Sequence, residues 1–222
     1  MSGQTPNVQE SPSPSASPPN SGSGAGKKSL LLLGSQMEVG GAQQVLRAQA
    51  GWFHAHGYRV TAAFLYDKAG LGADWQAQAP YPLLDLGAWR KGGSLPGNLL
   101  RLVKGTLHLW RMLRQEHWDA IETFTPHANL IGIPLAWLAG VPVRVGTHHG
   151  RVGNPTGWLD ALHGRLANSR LMTCLVAVSP QAGQSAEQFE SVRPERIVVI
   201  PNGIDISRVQ LPFDPAARQR LR

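Results

Sequence analysis

The sequence predicts an α/β fold, in which a Rossmann-like, doubly wound parallel sheet follows a disordered tail. Short apolar segments of strand length alternate with segments of helical periodicity from residue 29 to about residue 206. Such alternation implies βαβ units and a parallel sheet with helices on both faces, joined by right-handed crossovers. Residues 1–28, in contrast, are rich in Ser, Pro and Gly and nearly lack large apolar side chains. Because that composition cannot offset the entropy of ordering, we expect a flexible tail over 1–28 and one domain over 29–206.

Seven segments have the length and composition of strands. Residues 29–33 form a continuous apolar run that ends at Gly34, which is typical of a strand buried on both faces. Residues 59–66 are rich in β-branched and aromatic side chains. The other five segments are residues 81–86, 120–124, 143–147, 174–178 and 197–200.

Helical periodicity fills the intervals between these strands. Apolar residues recur at helical spacing after the Gly40-Gly41 turn and stop at Gly57, where a glycine that ends a helix is expected. The other predicted helices are residues 95–118, residues 128–139, residues 156–171 and a segment opened by Ser179-Pro180. The apolar run over 129–146 is interrupted by two prolines, so we interpret it as a helix and a strand and predict no membrane span.

Composition narrows the classes of partner. The single cysteine, Cys174, excludes an internal disulfide framework and a Cys-based zinc cluster, and it is consistent with a reducing cytoplasm. The N-terminus lacks the apolar core of a signal peptide. The net charge of +7 is compatible with nucleic acid, an anionic membrane or a phosphate-bearing substrate. No RGG tract or zinc-finger pattern is present, so no nucleic-acid partner is expected.

The first candidate site is the Gly40-Gly41 turn. Doubly wound sheets bind ligands beyond the carboxyl ends of their strands, and this turn follows the first strand. Its glycines would let the backbone approach a ligand, and the next helix would direct free N–H groups at a phosphate or diphosphate. The alternative is a turn that needs glycine only for its dihedral angles. Neither a G-x-G-x-x-G fingerprint nor a P-loop lysine is present.

A second candidate is the pair His148 and His149 at the end of the fifth strand. Adjacent strand residues point to opposite faces, so one histidine is expected in the ligand crevice and the other in the protein. The histidine in the crevice would act as a general base or as a hydrogen-bond donor to a substrate. Alternation does not choose between the two residues. A zinc site is disfavoured, because no nearby cysteine or acidic residue completes it, and a structural histidine is the remaining alternative.

Two further loops lie at predicted carboxyl ends of strands. His127 and Asn129 follow the fourth strand and open a helix, where they would face the crevice or, for Asn129, cap the helix. Asn202 and Gly203 follow the last strand and by themselves indicate only a turn.

The helix predicted over 95–118 divides into a basic face and an apolar face. Arg101, Lys104 and Arg111, with His108, lie three or four residues apart on one side. We place Leu99, Val103, Trp110 and Leu113 on the side that packs into the core. The basic face is then either solvated or suited to an anionic membrane surface.

Over residues 28 to 205 the chain resembles the N-terminal domain of the retaining GT-B glycosyltransferases of family four. Three pieces carry the resemblance, in the family's order. They are Gly40-Gly41-Ala42 with Gly57-Tyr58-Arg59-Val60, the segment 119–142 that ends in Gly140-Val141-Pro142, and Val178-Ser179 followed by Pro201-Asn202-Gly203-Ile204-Asp205. The domain would then be one half of a GT-B fold.

The resemblance implies a role for most of these candidates. In the family, the N-terminal domain mainly binds acceptor and the C-terminal domain mainly binds a nucleotide-diphosphate sugar, without a bound metal or other cofactor. Gly40 and Gly41 would present backbone to the donor diphosphate, and His149 matches the family's histidine near the reacting sugar and acceptor. Asn202 and Gly203 would lie at the interdomain cleft. His148, His127 and Asn129 remain candidates for contacts to donor or acceptor.

Two departures from the family accompany the resemblance. Glu122 stands where related enzymes often have histidine. Residues 207–222 resemble the start of an interdomain segment, and the C-terminal donor-binding domain is absent from the sequence. We therefore expect the complete enzyme to transfer a sugar with retention, onto a lipid-linked or surface-polysaccharide acceptor, and the fragment alone to have little or no activity. The expected location is the cytoplasm, peripheral to the inner face of the membrane.

Two alternatives come from other classes of protein. A dinucleotide-dependent oxidoreductase would use Asp67 as the acid that binds ribose, although the missing glycine fingerprint argues against it. A non-catalytic module that binds an acceptor or a membrane is the second alternative.

Overall fold

The computed structural model describes residues 26–150 and 157–203. They form a seven-stranded, all-parallel sheet in the order β3-β2-β1-β4-β5-β6-β7. The strands are β1 Ser29–Met37, β2 Arg59–Asp67, β3 Leu83–Asp85, β4 Ala120–Phe124, β5 Val143–His148, β6 Cys174–Ala177 and β7 Ile197–Val199. The helices are α1 Gly41–Ala55, α2 Gly72–Gln78, α3 Leu95–Gln115, α4 Pro126–Leu138, α5 Trp158–Ala167 and α6 Pro180–Glu190. The predicted fold class and all seven predicted strands are confirmed.

Two predicted segments lie mostly or wholly outside the described residues. These are the tail over 1–28, of which only the last three residues are described, and the segment over 207–222.

The strand order reverses between β1 and β4. The chain first builds outward from β1 to β3 and then returns through α3 to place β4 on the other side of β1. The register aligns Gly34 with Phe124 and Phe124 with Thr147, so the carboxyl ends of β1, β4 and β5 lie side by side. In doubly wound sheets such a reversal opens a crevice at these ends. The topology therefore brings the loops after β1, β4 and β5 to one place.

Successive residues of β1 point to opposite faces of the sheet, so they belong to two separate hydrophobic cores. Leu32 packs with Leu46 and Phe64 under α1 and α2, whereas Leu31 and Leu33 pack under the helices of the opposite face. Both sets are fully or almost fully buried. On the face of the sheet that carries α1, the described helices extend no further than β4. Val143 on β5 and Val198 on β7 are accordingly 41% and 45% exposed.

Helix α2 is an element that the sequence reasoning missed, because it has only seven residues and weak periodicity. Its start is fixed by Asp67 at the end of β2. The Asp67 carboxylate accepts hydrogen bonds from four consecutive backbone N–H groups, those of residues 69 to 72, at 2.8 to 3.2 Å. Trp75 then anchors the helix in the core beside Phe64.

Helix α3 turns a different face to the core from the one predicted. Leu99 and Val103, predicted to be buried, are 62% and 50% exposed, whereas Leu113 is buried as predicted. The reason is Gly105, where an added Cβ would lie 2.6 Å from the Cβ of Ala88. This close approach makes the side of α3 that carries Gly105 and Leu109 the contact face and leaves Leu99 and Val103 outside.

Helices α5 and α6 also approach closely, at Gly164. A Cβ on Gly164 would collide with the carbonyl oxygen of Glu190, the last residue of α6. The missing side chain brings His163, its neighbour on α5, within 2.6 Å of the Glu190 carboxylate.

We predict that Gly164→Ala destabilises the domain by about 1–3 kcal/mol, because the methyl group meets backbone that cannot rotate away. The measurement is the free energy of unfolding in urea. Gly183→Ala in α6 is the matched control, because its nearest neighbours are at 3.6 Å and alanine favours the helix by roughly 1 kcal/mol. Equal stability of the two variants would contradict the close approach.

Candidate functional site

The crevice lies where β1 and β4 end and α1 and α4 begin. Its walls come from the end of β1, the first turns of α1 and the β4–α4 turn. The residues that line it are Gly34, Ser35, Ala42, Gln43, Leu46, Phe64, Phe124 and Thr125. Two helix N-termini therefore border one crevice, and neither carries an acidic residue in its first turn. Their unpaired N–H groups and positive dipole ends favour an anion.

The Gly40-Gly41 turn occupies the predicted position at the start of α1. Gly40 precedes the helix in extended conformation, and a Cβ there would lie 2.6 Å from the amide oxygen of Gln43. The Gln43 amide in turn donates to the carbonyl oxygen of Gln36 at 3.1 Å. The absence of a side chain at Gly40 therefore leaves space for the Gln43 amide. Gly41, in contrast, is exposed with open space around it.

A polar chain that sequence reasoning missed braces the loop before this turn. The Tyr66 hydroxyl donates to the Gln36 amide oxygen at 2.6 Å, and the Gln36 amide nitrogen donates to Glu38. Lys68 pairs with the other oxygen of Glu38 at 2.5 Å. These hydrogen bonds link the segment that ends β1 to the end of β2, and Glu38 lies two residues before Gly40.

His149 faces the crevice side of the sheet, beside the ring of Phe124 at a centroid distance of 5.9 Å. Its Nε2 lies 3.0 Å from Thr147 Oγ1, and that hydroxyl donates its one proton to the carbonyl oxygen of Thr123 at 3.1 Å. Thr147 Oγ1 must then accept from His149 Nε2–H, which leaves the lone pair on Nδ1. Burial, and secondarily His148, lower the pKa of His149 to about 4. The imidazole is therefore neutral at pH 7 and presents a hydrogen-bond acceptor.

His148 points to the opposite face and is 3% exposed. Its Nε2 lies 3.1 Å from Glu190 Oε1, and its Nδ1 accepts a hydrogen bond from the Gly150 N–H at 3.3 Å. The predicted division of the two histidines, one toward the crevice and one into the protein, is thus observed.

Asn129 is fully buried behind the same strand end. Its amide oxygen accepts from Thr123 Oγ1 at 2.7 Å. Its amide nitrogen lies 3.2 Å from the Thr147 carbonyl oxygen and 2.7 Å from His163 Nε2. His163, which is also fully buried, continues the chain through Nδ1 to Glu190 Oε2 at 2.6 Å. Asn129 and His148 therefore belong to one internal network.

Glu190 is the only charged group of this network within the described residues. Burial alone would raise the pKa of Glu190, but the hydrogen bonds from His148 and His163 outweigh it and lower the pKa to about 2. No local pattern in the sequence indicates this partnership, since the two histidines are separated from Glu190 by 42 and 27 residues.

The remaining candidates are exposed at the ends of other elements. His127 is exposed in the first turn of α4. Asn202 and Gly203 are exposed beyond β7, where the Asn202 N–H lies 3.4 Å from the carbonyl oxygen of Val178. The structure places Gly40 and Gly41 beyond the end of β1 and His149 at the end of β5, with β4 between these two strands. No side-chain hydrogen bond joins His127, Asn202 or Gly203 to them among residues 26–150 and 157–203.

Thr125 is a crevice residue with unusual backbone geometry. It joins β4 to α4 at φ 86° and ψ 151°, a region that is nearly restricted to glycine. Its buried hydroxyl has no hydrogen-bond partner among the described residues. A β-branched residue with both features is rare outside functional sites, and the sequence offers no signal for either one.

Glu122 lies in the middle of β4 on the face of α1. With its amide nitrogen turned to the carboxylate, Gln49 donates to both oxygens at 3.0 and 3.2 Å. Burial nevertheless raises the pKa of Glu122 to about 7. The Glu122 side chain is therefore held under α1.

Three other observations bear on the function. The Asp67 carboxylate is engaged by the backbone before α2, as described above, and so is not presented to a ribose. Within the described ranges, no group of three or more His, Cys, Asp or Glu residues is arranged to hold a metal ion. None of the helices over the same residues has the length and apolar character needed to cross a membrane.

An all-parallel doubly wound sheet of this order is the architecture of one half of a GT-B fold. Residues 39–208 match the model of Glycosyltransferase Family 4, and the chain belongs to that family.

Individual proteins are similar to the chain in sequence or in fold. Over 128 residues the chain is 27% identical to the UDP-Gal:alpha-D-GlcNAc-diphosphoundecaprenol alpha-1,3-galactosyltransferase of Escherichia coli, covering 54% of this chain and 31% of the relative. The fold matches Anabaena Alr3699/HepE in complex with UDP-glucose, with a TM-score of 0.65, 21% identity and coverage of 87% of this chain and 49% of that one. It also matches MurG of Acinetobacter baumannii, with a TM-score of 0.55, 17% identity and coverage of 82% and 47%. The chain thus spans half or less of each of these proteins.

We predict that Thr125→Gly raises the thermal stability of the domain. Relief of backbone strain and removal of an unpaired buried hydroxyl are each worth on the order of 1–3 kcal/mol, offset by the greater freedom of glycine in the unfolded chain. The measurement is the midpoint of thermal unfolding. Thr125→Ala removes the hydroxyl but keeps the strain, so it should fall between the wild type and the glycine variant. A glycine variant less stable than wild type would contradict the geometry.

Proposed function

We propose that the complete protein transfers a sugar from a nucleotide-diphosphate sugar to an acceptor with retention, and that this chain is its acceptor-side half. The observation that carries the proposal is that the Gly40-Gly41 turn and His149 follow β1 and β5, which flank β4 at the same edge of the sheet, in a chain of this family. The E. coli relative is named as a galactosyltransferase that uses UDP-Gal, which supports the class of donor.

The start of α1 would receive the donor diphosphate. Its first N–H groups have no partners within the helix, and Gly41 leaves room for an oxygen to approach them. As the bond between sugar and diphosphate breaks, negative charge grows on the leaving phosphate. N–H groups and a helix dipole already directed at that position stabilise the charge without reorganisation.

His149 would meet the sugar or the acceptor hydroxyl. Its neutral ring offers Nδ1 as a hydrogen-bond acceptor, and its low pKa keeps a positive charge out of the crevice. Such an acceptor orients a hydroxyl group that attacks or that binds alongside the reacting carbon. His127, at the start of α4, and Asn202 and Gly203, beyond β7, would add further contacts.

The donor-binding half is expected in a second domain, with residues 207–222 leading toward it. The chain covers 49% of the HepE chain and 31% of the galactosyltransferase. Purified 1–222 should therefore show little or no transfer, and turnover at a normal rate would contradict this division of labour.

We predict that UDP-sugars bind the isolated chain weakly, at the start of α1. The measurement is a titration of the isotope-labelled chain with millimolar UDP-galactose or UDP-glucose, followed by NMR shifts of the Gly40, Gly41 and His149 signals. Gly41→Asp should abolish the shifts, because a carboxylate in the first turn repels the diphosphate while it favours the helix.

Gly41→Ala is the matched control and should retain binding, because a Cβ at this position has open space. An unchanged response of Gly41→Asp would contradict the proposal. The same titration with NADH tests the oxidoreductase alternative. Selective shifts with NADH, and none with UDP-sugars, would favour that alternative.

A lipid-linked or surface-polysaccharide acceptor is the second part of the proposal, with the protein working in the cytoplasm at the inner face of the membrane. The relative's name specifies a diphosphoundecaprenol acceptor. Helix α3 adds a physical argument, because an exposed apolar strip borders its basic face. The strip consists of Leu95, Leu99, Leu100, Val103 and Leu107, which are 44% to 77% exposed. Arg101, Lys104 and Arg111 are exposed beside it.

Such a division of a helix suits the interface of an anionic leaflet. Apolar side chains enter the boundary of the acyl region, and each basic side chain near the surface contributes about 1 kcal/mol. Trp89, 41% exposed just upstream, extends the same surface.

We predict that the chain sediments with phosphatidylglycerol vesicles at low salt and dissociates at high salt, because charge attraction is screened. The double variant Lys104→Glu with Arg111→Glu should lose binding. Arg170→Glu is the control for charge, since Arg170 is exposed outside α3. Absence of binding at every salt concentration, or equal loss in the control, would contradict membrane docking without affecting the proposed reaction.

A further inference from the structure

A buried network of side chains lies behind His149. It runs from Thr123 on β4 through Asn129 on α4 and His163 on α5 to Glu190 on α6, and returns through His148 to the backbone at Gly150. Two strands and three helices therefore contribute to one network around a single carboxylate.

The distances fix where the protons are. The Asn129 amide has two N–H donors, and they serve the Thr147 carbonyl oxygen and His163 Nε2. His163 must therefore carry its proton on Nδ1, which it donates to Glu190. On the other side, the Gly150 N–H needs an acceptor at His148 Nδ1, so the His148 proton lies on Nε2 and is donated to the other oxygen of Glu190. An ionised Glu190 with two neutral imidazoles satisfies every bond.

The network holds the backbone on both sides of His149. Asn129 binds the carbonyl oxygen of Thr147, and His148 binds the N–H of Gly150. Thr147 also supplies the hydroxyl that receives the His149 Nε2 proton. The place and the tautomer of the His149 ring thus depend on groups that are themselves fixed by Glu190.

A buried carboxylate is an energetically unfavourable way to fill a core. Glu190 is 8% exposed, and it lies at the C-terminal end of α6, where the helix dipole disfavours an anion. The two groups that donate to its side chain are imidazoles. Apolar residues of similar volume often stabilise a core more than buried charges do, so buried charges can serve to specify one arrangement.

We infer that Glu190, His163 and Asn129 are positioning residues, which hold His149 in one orientation and one tautomer at the crevice. The inference rests on the proposed function insofar as His149 faces a substrate. The orientation of the ring, in contrast, is a property of the chain without any ligand. Gly164 belongs to the same device, because it admits α5 close enough to α6 for His163 to reach Glu190.

The test is NMR of the imidazole rings in the 222-residue chain without ligand. In the wild type, His149 should be the Nε2–H tautomer with a pKa near 4. Glu190→Gln offers one acceptor in place of two, so one histidine loses its partner and the loop is released. The His149 pKa should then rise by at least one pH unit toward its ordinary value, and both tautomers should be populated.

Glu187→Gln is the matched control, one helical turn earlier on α6 and exposed. It should leave the His149 pKa and tautomer unchanged. A purely structural role for Glu190 would lower thermal stability in Glu190→Gln while His149 kept its pKa and tautomer, and that result would overturn the inference.

A second measurement uses only the wild-type chain, so it does not depend on whether a variant folds. Scalar couplings across hydrogen bonds should join the Gly150 amide nitrogen to His148 Nδ1, and the Asn129 amide nitrogen to His163 Nε2, in the wild-type chain. Absence of both couplings would overturn the inference. Since no substrate takes part, failure of either measurement is distinguishable from failure of the proposed glycosyl transfer, which the UDP-sugar titration addresses.

Discussion

Burial of β1 on both faces is the constraint on which the rest of the structure depends. Leu31, Leu32 and Leu33 are each 1% exposed or less, so apolar surface must be supplied from above and from below the sheet. Helices α1 and α2 supply one cover, and α3 together with the helices after β4 supplies the other. The chain must therefore build strands on both sides of β1, and the reversal between β1 and β4 follows. The crevice at their carboxyl ends is a consequence of this packing.

Two kinds of polar environment meet at that crevice. On the side of α1 and α4, backbone N–H groups at helix starts remain available to an anion. Behind β5, in contrast, the polar groups of Asn129, His163, Glu190 and His148 are used within the protein. Groups of the first kind are free to bind a ligand, whereas groups of the second kind can only position other residues. His149 lies between the two environments, since its Nε2 is engaged by Thr147 and its Nδ1 carries the lone pair.

The electrostatics of the two buried carboxylates illustrate the same separation. Glu122 has one amide donor and a pKa near 7, whereas Glu190 has two imidazole donors and a pKa near 2. The number and kind of hydrogen-bond donors, and not burial alone, decide which carboxyl group holds its charge. A fixed negative charge at Glu190 keeps both imidazole N–H groups directed toward it, which a neutral carboxyl group would not do.

Local sequence determined the seven strands, the glycine turn at the start of α1 and the opposite directions of His148 and His149. These follow from runs of adjacent residues, from alternation along a strand and from glycine chemistry, all of which act over a few residues. Local sequence did not determine the buried face of α3, because a close approach between Gly105 and Ala88 decides it. It likewise missed α2, the geometry of Thr125 and the role of Glu190. Only the tertiary structure joins His148, His163 and Asn129 to one carboxylate, because that contact depends on four elements packing at once and leaves no periodic signal in the chain.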